Sequence, residues 1–140
     1  MMPERSLPMY GLKATFVLFC VFTAVLLASF AVKSRAAKPS IVIQMMDMPA
    51  SFLPERETIK VDDTVERKNV GNQLHHVTTD PSAALKRSDV SSPAEAKPFD
   101  SGFIKPGESF TPTFSIPETY RYTCAVHENK GMNGELVVQK

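Results

Sequence analysis

Hydrophobic and polar positions divide the chain into two materials. From Ala14 to Val32 runs a stretch without a single charge, preceded by Arg5 and Lys13 and closed by Lys33, Ser34 and Arg35. After residue 37 no such run recurs; short apolar segments alternate with polar ones and are broken by Pro, Gly and Asp. Alternation with a period of two puts one face of a segment against a core and the other in water, the pattern of a half-buried strand. Strands are expected to open at Ile41-Val42-Ile43 and to follow over residues 58–61, 64–68, 75–79, 109–115, 119–124 and 135–139. Roughly seven short strands with turn residues between them predict an all-β fold, a Greek-key β-sandwich. Its core is expected to hold Ile43, Ile59, Val61, Val65, Phe103, Phe110, Phe114, Tyr122, Leu136 and Val138. No helical period of useful length occurs after residue 37.

The uncharged stretch exceeds the ~7–15 residues of a signal-peptide core and falls within the ~17–25 of a spanning helix. Ser34-Arg35-Ala36 places small residues at the two positions a signal peptidase reads. Residues 1–37 are therefore expected to form an N-terminal hydrophobic, membrane-directed helix, either a cleaved signal peptide or a retained membrane anchor. Residues 38–140 then form one exported domain. Positive residues flank both ends of the stretch, so the orientation rule does not decide its direction. Between Asp80 and Pro98 the sequence turns polar. This is expected to be a long surface loop with a candidate helical turn at Ala83 to Lys86, its role left open between a functional loop and a tolerated insertion.

Charge narrows the function classes. Past residue 37 there are twelve Lys and Arg against fourteen Asp and Glu, so the exported part is mildly acidic. It lacks the basic footprint of a nucleic-acid binder, and charge names no other partner.

Chemistry concentrates in Tyr122-Thr123-Cys124-Ala125-Val126-His127-Glu128-Asn129-Lys130-Gly131-Met132. A thiol, an imidazole and a thioether follow one another with two and then four residues between them. Gly131 and Asn133-Gly134 argue for a looped segment. Cys124 and His127 alone are compatible with zinc, with a nucleophile and its base, or with neither. Upstream, His75-His76 supplies the remaining two of the three histidines. Two His, one Cys and one Met form the donor set of a blue-copper site. Cys20 lies in the uncharged stretch, which leaves Cys124 alone in the exported part. An unpaired thiol in an oxidising compartment needs burial or ligation, and ligation to a metal holds it as thiolate. The plainer alternative is a buried, inert cysteine.

The ordering of motifs supports a family resemblance. Phe52-Leu53-Pro54, Ile59-Lys60-Val61-Asp62-Asp63-Thr64-Val65 and Asn69 are followed by Phe99-Asp100-Ser101-Gly102, Lys105-Pro106-Gly107-Glu108-Ser109-Phe110 and Tyr120-Arg121-Tyr122-Thr123-Cys124. Together with the Cys, His, Met loop, these resemble the cupredoxins of the plastocyanin and pseudoazurin kind. Two positions depart from the pattern: Asp62 stands where a turn glycine is usual, and Arg67 where a tryptophan is usual. Strand alternation lets only one of His75 and His76 face a metal. The family pattern implies that it is His75, which gives a ligand set of His75, Cys124, His127 and Met132 around one mononuclear copper ion. His76 then lies beside the ligands, either as a polar tie between the two ligand loops or without a role. The resemblance further implies an outer edge of His127 near the surface in an apolar patch, to which Val126, Pro81 and Gly131 could contribute. The implied function is a non-enzymatic shuttle of single electrons between redox protein partners such as a cytochrome or oxidase, in the periplasm or on the extracytoplasmic face of a membrane.

The alternative is a periplasmic copper-binding or copper-transfer protein without an electron-shuttle role, suggested by Met45, Met46 and Met48, for which packing is the plainer account. An enzyme fits less well. A copper oxidase or nitrite reductase needs further histidines for a second centre, and a binuclear centre needs a second loop cysteine where Glu128 stands. Cys124 and His127 are too close on one loop for a hydrolase base brought in from another element.

Overall fold

A computed structural model describes residues 38–140; the expected N-terminal helix, and with it cleavage or anchoring, lies outside the described residues. Nine strands are formed: β1 Ile41–Asp47, β2 Ala50–Leu53, β3 Arg56–Lys60, β4 Val65–Asn69, β5 His75–Thr78, β6 Asp100–Ile104, β7 Ser109–Phe110, β8 Glu118–Thr123 and β9 Asn133–Gln139. They make a four-stranded sheet in the order β2-β1-β4-β7 and a five-stranded sheet in the order β3-β9-β8-β5-β6. The expected all-β sandwich is the observed architecture. Two 3-10 turns, at Arg87–Asp89 and Glu128–Lys130, are the helical pieces among the described residues. No helix among those residues is long and apolar enough to cross a membrane.

Alternation explains the inner faces. In β1, Ile43 and Met45 are fully buried while Val42 and Gln44 face out; in β9, Leu136 and Val138 face in. The two sheets meet through Phe52 and Tyr122, whose rings pack edge to face at 4.9 Å. Each large apolar side chain taken fully from water contributes about 1.5–3 kcal/mol. Parallel pairing of β1 with β4, Ile41 opposite Val65 through Met45 opposite Asn69, sets the end of β1 beside the segment that leads into β5.

The structure departs from the alternation-based expectations in several places. β2 and β6 were not predicted, and the strand expected over 109–115 shrinks to two residues. In β6, Gly102 adopts φ 62° and the pairing with β5 shifts register between His76 and Thr78, so the simple period of two is broken. That irregularity turns Phe103 outward: expected in the core, it is 70% exposed. Val61 and Phe110 are only partly buried, packed against the core's edge. The helical turn expected at Ala83 to Lys86 forms instead as the 3-10 turn at Arg87–Asp89. Asp62, at the family's turn-glycine position, has φ 68°, a left-handed conformation that Asp tolerates better than most residues.

Arg67 faces the core on β4 and is wholly buried. Its guanidinium carbon lies 4.4 Å from the centre of the Tyr122 ring and 5.4 Å from those of Phe99 and Phe114. These aromatic faces offer cation–π attraction. None of its three side-chain nitrogens has a hydrogen-bond partner, nor does the Tyr122 hydroxyl. Burial pulls the Arg67 pKa below the usual arginine value, with Tyr122 opposing, and burial pushes the Tyr122 phenol up.

Candidate metal centre

Two segments carry the candidate ligands. His75 opens β5, and the loop from residue 124 to 132, between β8 and β9, carries Cys124, His127 and Met132. The loop is closed by its own backbone. Cys124 N–H donates to Met132 O at 3.0 Å and His127 N–H to Cys124 O at 2.8 Å, while Lys130 N–H reaches back to His127 O at 2.9 Å. Gly131 completes the turn at φ 78°, a conformation costly for residues with a Cβ. Spacing in the sequence thereby becomes convergence in space.

The Cys124 thiol lies 3.8 Å from Nδ1 of His75 and 3.5 Å from Nδ1 of His127. All three donor atoms fall within 4.8 Å of one another, and all three residues are buried. Each imidazole is held at its far nitrogen. His75 Nε2–H donates to Asp47 Oδ1 at 2.9 Å, and His127 Nε2–H to Gln73 Oε1 at 3.0 Å. An ionised carboxylate and an amide carbonyl can only accept, so both rings carry their proton on Nε2 and turn the Nδ1 lone pair toward the thiol. Two oriented imidazoles and a soft sulfur in a buried pocket fit a copper ion, and a carboxylate behind a ligating histidine is a recurrent way to fix its tautomer. Met132 is fully buried on the same loop, where its carbonyl also accepts from Thr123 Oγ1 at 3.2 Å.

Burial is the main cause of the electrostatics here. It pushes the Cys124 thiol up, against an opposing hydrogen bond from His76 N–H to Sγ at 3.3 Å. Burial also pulls His127 down, helped by the neighbouring His75 and Lys130. Both shifts favour the uncharged forms, and a cation bound there displaces the thiol proton.

The other expected participants fall as follows. The His76 side chain points away from the thiol; its Nε2 meets Asp100 Oδ1 at 2.9 Å and its ring lies 6.2 Å from that of Phe103. Only its backbone N–H reaches the site. His127, expected to show an edge at the surface, is 3% exposed, because Gln73 lies over it. Val126 and Gly131 are exposed and Pro81 partly so. Beside them a depression of about 440 Å³ is lined by His76, Ala83, Phe103, Ala125 and Val126. Met45 is buried in the core, Met46 partly buried and Met48 exposed, an arrangement that agrees with packing better than with a thioether cage.

Three residues around the site escaped sequence reasoning. Asp47 and Gln73 orient the imidazoles, and Glu128 ties down the 80–98 loop. The buried Glu128 carboxylate accepts from Leu85 N–H at 2.7 Å and Lys86 N–H at 2.8 Å. Gln73 had a faint signal, since it lies two residues before His75 and shares its side of an extended chain. Asp47 had none.

Comparison with known proteins gives concordant results. The family described as copper binding proteins, plastocyanin/azurin family, matches residues 39–139. The plastocyanin of Scenedesmus fuscus is 32% identical over 88 residues, covering 63% of this chain and 86% of that protein. A chloroplastic plastocyanin of Oryza sativa subsp. indica is 32% identical over 87 residues, covering 62% of this chain. That match spans a little over half of the rice protein, 54%. Among solved structures, a mutant amicyanin in its Cu(I) form superposes with a TM-score of 0.56 at 24% identity, covering 76% of this chain and 88% of that one. A mutant fern plastocyanin superposes with a TM-score of 0.55 at 21% identity, covering 70% and 99%. At these identities the structures speak for the fold alone.

Proposed function

Since the chain belongs to the plastocyanin/azurin family of copper-binding proteins and is a cupredoxin, we propose that residues 38–140 form an exported blue-copper domain that carries single electrons between larger redox proteins. The observation that carries this reading is the convergence of Cys124 Sγ with Nδ1 of His75 and of His127, each imidazole fixed from behind. His75, Cys124 and His127 would serve as the three strong ligands, and Met132, buried on the same loop, as the weak fourth. A copper ion held there would supply one-electron chemistry between its two oxidation states.

The protein's contribution is a geometry that does not have to change. Asp47 and Gln73 hold the rings, the backbone of the 124–132 loop holds the thiol, and His76 N–H tempers charge on the sulfur. Burial of the donors excludes water from the sulfur, which suits a carrier better than a catalyst. In this reading the exposed apolar side chains at this end, Val126 and Phe103 among them, meet a partner such as a cytochrome or oxidase in a short-lived contact. Residues 1–37 direct the domain across a membrane, as cleaved signal peptide or retained anchor, and place it in the periplasm or on an extracytoplasmic membrane face.

The test is a visible and electron paramagnetic resonance spectrum after addition of Cu(II). An intense thiolate-to-copper band with narrow copper hyperfine splitting is expected, and Cys124→Ser should abolish it. A colourless complex, or a serine variant that stays blue, would overturn the reading.

A further inference from the structure

His127 lies between exposed Val126 and exposed Asn129 and Lys130, yet its own ring is closed off. Its Nε2–H is bonded at 3.0 Å to the side-chain carbonyl of Gln73, itself an exposed residue. Gln73 is not a wandering surface side chain. Its own backbone carbonyl accepts at 2.8 Å from Nδ2 of Asn69, which is fully buried and also donates to Ile104 O at 3.0 Å. Asn69 Oδ1 accepts in turn from Gly71 N–H at 3.0 Å. Asn72 N–H donates at 2.6 Å to Asp47 Oδ2, the same carboxylate that holds His75. At Gly71 a Cβ would stand 2.0 Å from Asp47 Oδ1, so only glycine permits this approach. Residues 69–73 therefore form a braced strap that lays one amide over one ligand edge.

We propose that Gln73 is a lid on the electron path. An electron that enters or leaves by way of His127 must cross the Gln73 amide, so this residue sets the exchange rate. The inference rests on the electron-carrier reading and adds the residue that paces it. Gln73 is a positioning residue that controls approach as well as holding the His127 ring.

Self-exchange between oxidised and reduced copies isolates this step. One copy loses the electron that the other gains, no bond forms or breaks, and no outside oxidant or reductant is needed. In mixtures of the two forms, line broadening in nuclear magnetic resonance spectra gives the rate. Gln73→Ala should raise it several-fold. Gln73→Leu, which covers the ring without accepting a hydrogen bond, should keep the rate of the parent protein; both variants give up the bond that holds His127, so the difference between them reads the cover alone.

A second readout needs no metal. In the copper-free protein the His127 Nε2–H should exchange slowly with solvent, and Gln73→Ala should make it fast. A blue protein whose Gln73→Ala variant exchanges electrons no faster, or more slowly, overturns the lid alone. Equal solvent exchange of that imidazole proton in parent and variant overturns it too. Absence of the blue spectrum overturns the electron-carrier reading, and the lid's role with it, before any rate is measured.

Discussion

Two regions of this domain bury polar groups, and they do so in opposite ways. At the ligand end the two imidazoles, the thiol and the Glu128 carboxylate each have a partner. In the middle of the sandwich the Arg67 guanidinium lies against three aromatic rings with no acceptor for any of its nitrogens. A buried hydrogen-bonded group is close to neutral in free energy, whereas a buried group left without partners costs its desolvation. Polar burial at the ligand end therefore creates a fixed geometry at little cost. At Arg67 it is a standing cost, offset in part by cation–π contact with Tyr122, Phe99 and Phe114. Preorganisation is thus supplied at the ligand end, and stability is given up at Arg67.

Substitution at the two regions should separate these contributions, with large effects of opposite sign at Arg67 and Glu128. Replacing a buried charge by a well-packed apolar side chain can stabilise by about 1–4 kcal/mol. Arg67→Met should accordingly move the denaturant midpoint upward by an amount in that range while the copper spectrum stays as it was. A drop in midpoint would mean that the rings stabilise the cation more than its burial costs, and the contrast between the regions would disappear.

Glu128→Ala should act with the opposite sign. Hydrogen bonds to a charged group contribute about 1.5–3 kcal/mol each, and this carboxylate holds two consecutive N–H groups of the 80–98 loop. Loss of stability is expected, together with faster amide exchange at Leu85 and Lys86 and little change elsewhere. Uniform acceleration across the sandwich would show that the loop is not tied locally.

The smallest effect belongs to carboxylates at the solvent-exposed turns. Asp63 is held below the usual carboxylate range chiefly by the Lys60 backbone N–H and then by the Ser40 hydroxyl, and Asp80 by the Ser82 backbone N–H and hydroxyl. Their pKa values are lower folded than unfolded, so the unfolded chain takes up protons first as pH falls. The contribution is complete above the unfolded value of about 3.9 and fades as pH drops through the lower folded values. Melting temperatures of the parent and of Asp63→Asn, measured from about pH 6 to 3, should differ most at the upper end and converge at the lower. Parallel curves would remove Asp63 from the acid response.

The sequence carried the sandwich and the metal loop because both depend on short-range pattern. Alternation marks the inner faces of β1, β4 and β9, and the spacing of Cys124, His127 and Met132 is contained in nine residues. What it hid depends on long-range register. Asp47 reaches His75 only because β1 runs parallel to β4, and Glu128 meets Leu85 across more than forty residues. β6 was hidden by Gly102 and a register shift, and the same irregularity turned Phe103 outward. Arg67 stood out as a departure from the family's tryptophan, but nothing in its neighbours along the chain foretold total burial.

The parallel pairing of β3 with β9 has a consequence in time. Arg56 meets Glu135 and Lys60 meets Gln139, and β9 is also the strand on which β8 lies, so β3 joins the five-stranded sheet only when its last strand exists. Closing such distant contacts is the slow part of building a β-rich domain. Met132 directly precedes β9, so the loop that gathers the donors is shaped in that same late step. During synthesis the growing chain consequently holds an open thiol and scattered histidines, and selectivity for a metal begins only when the final strand is laid down.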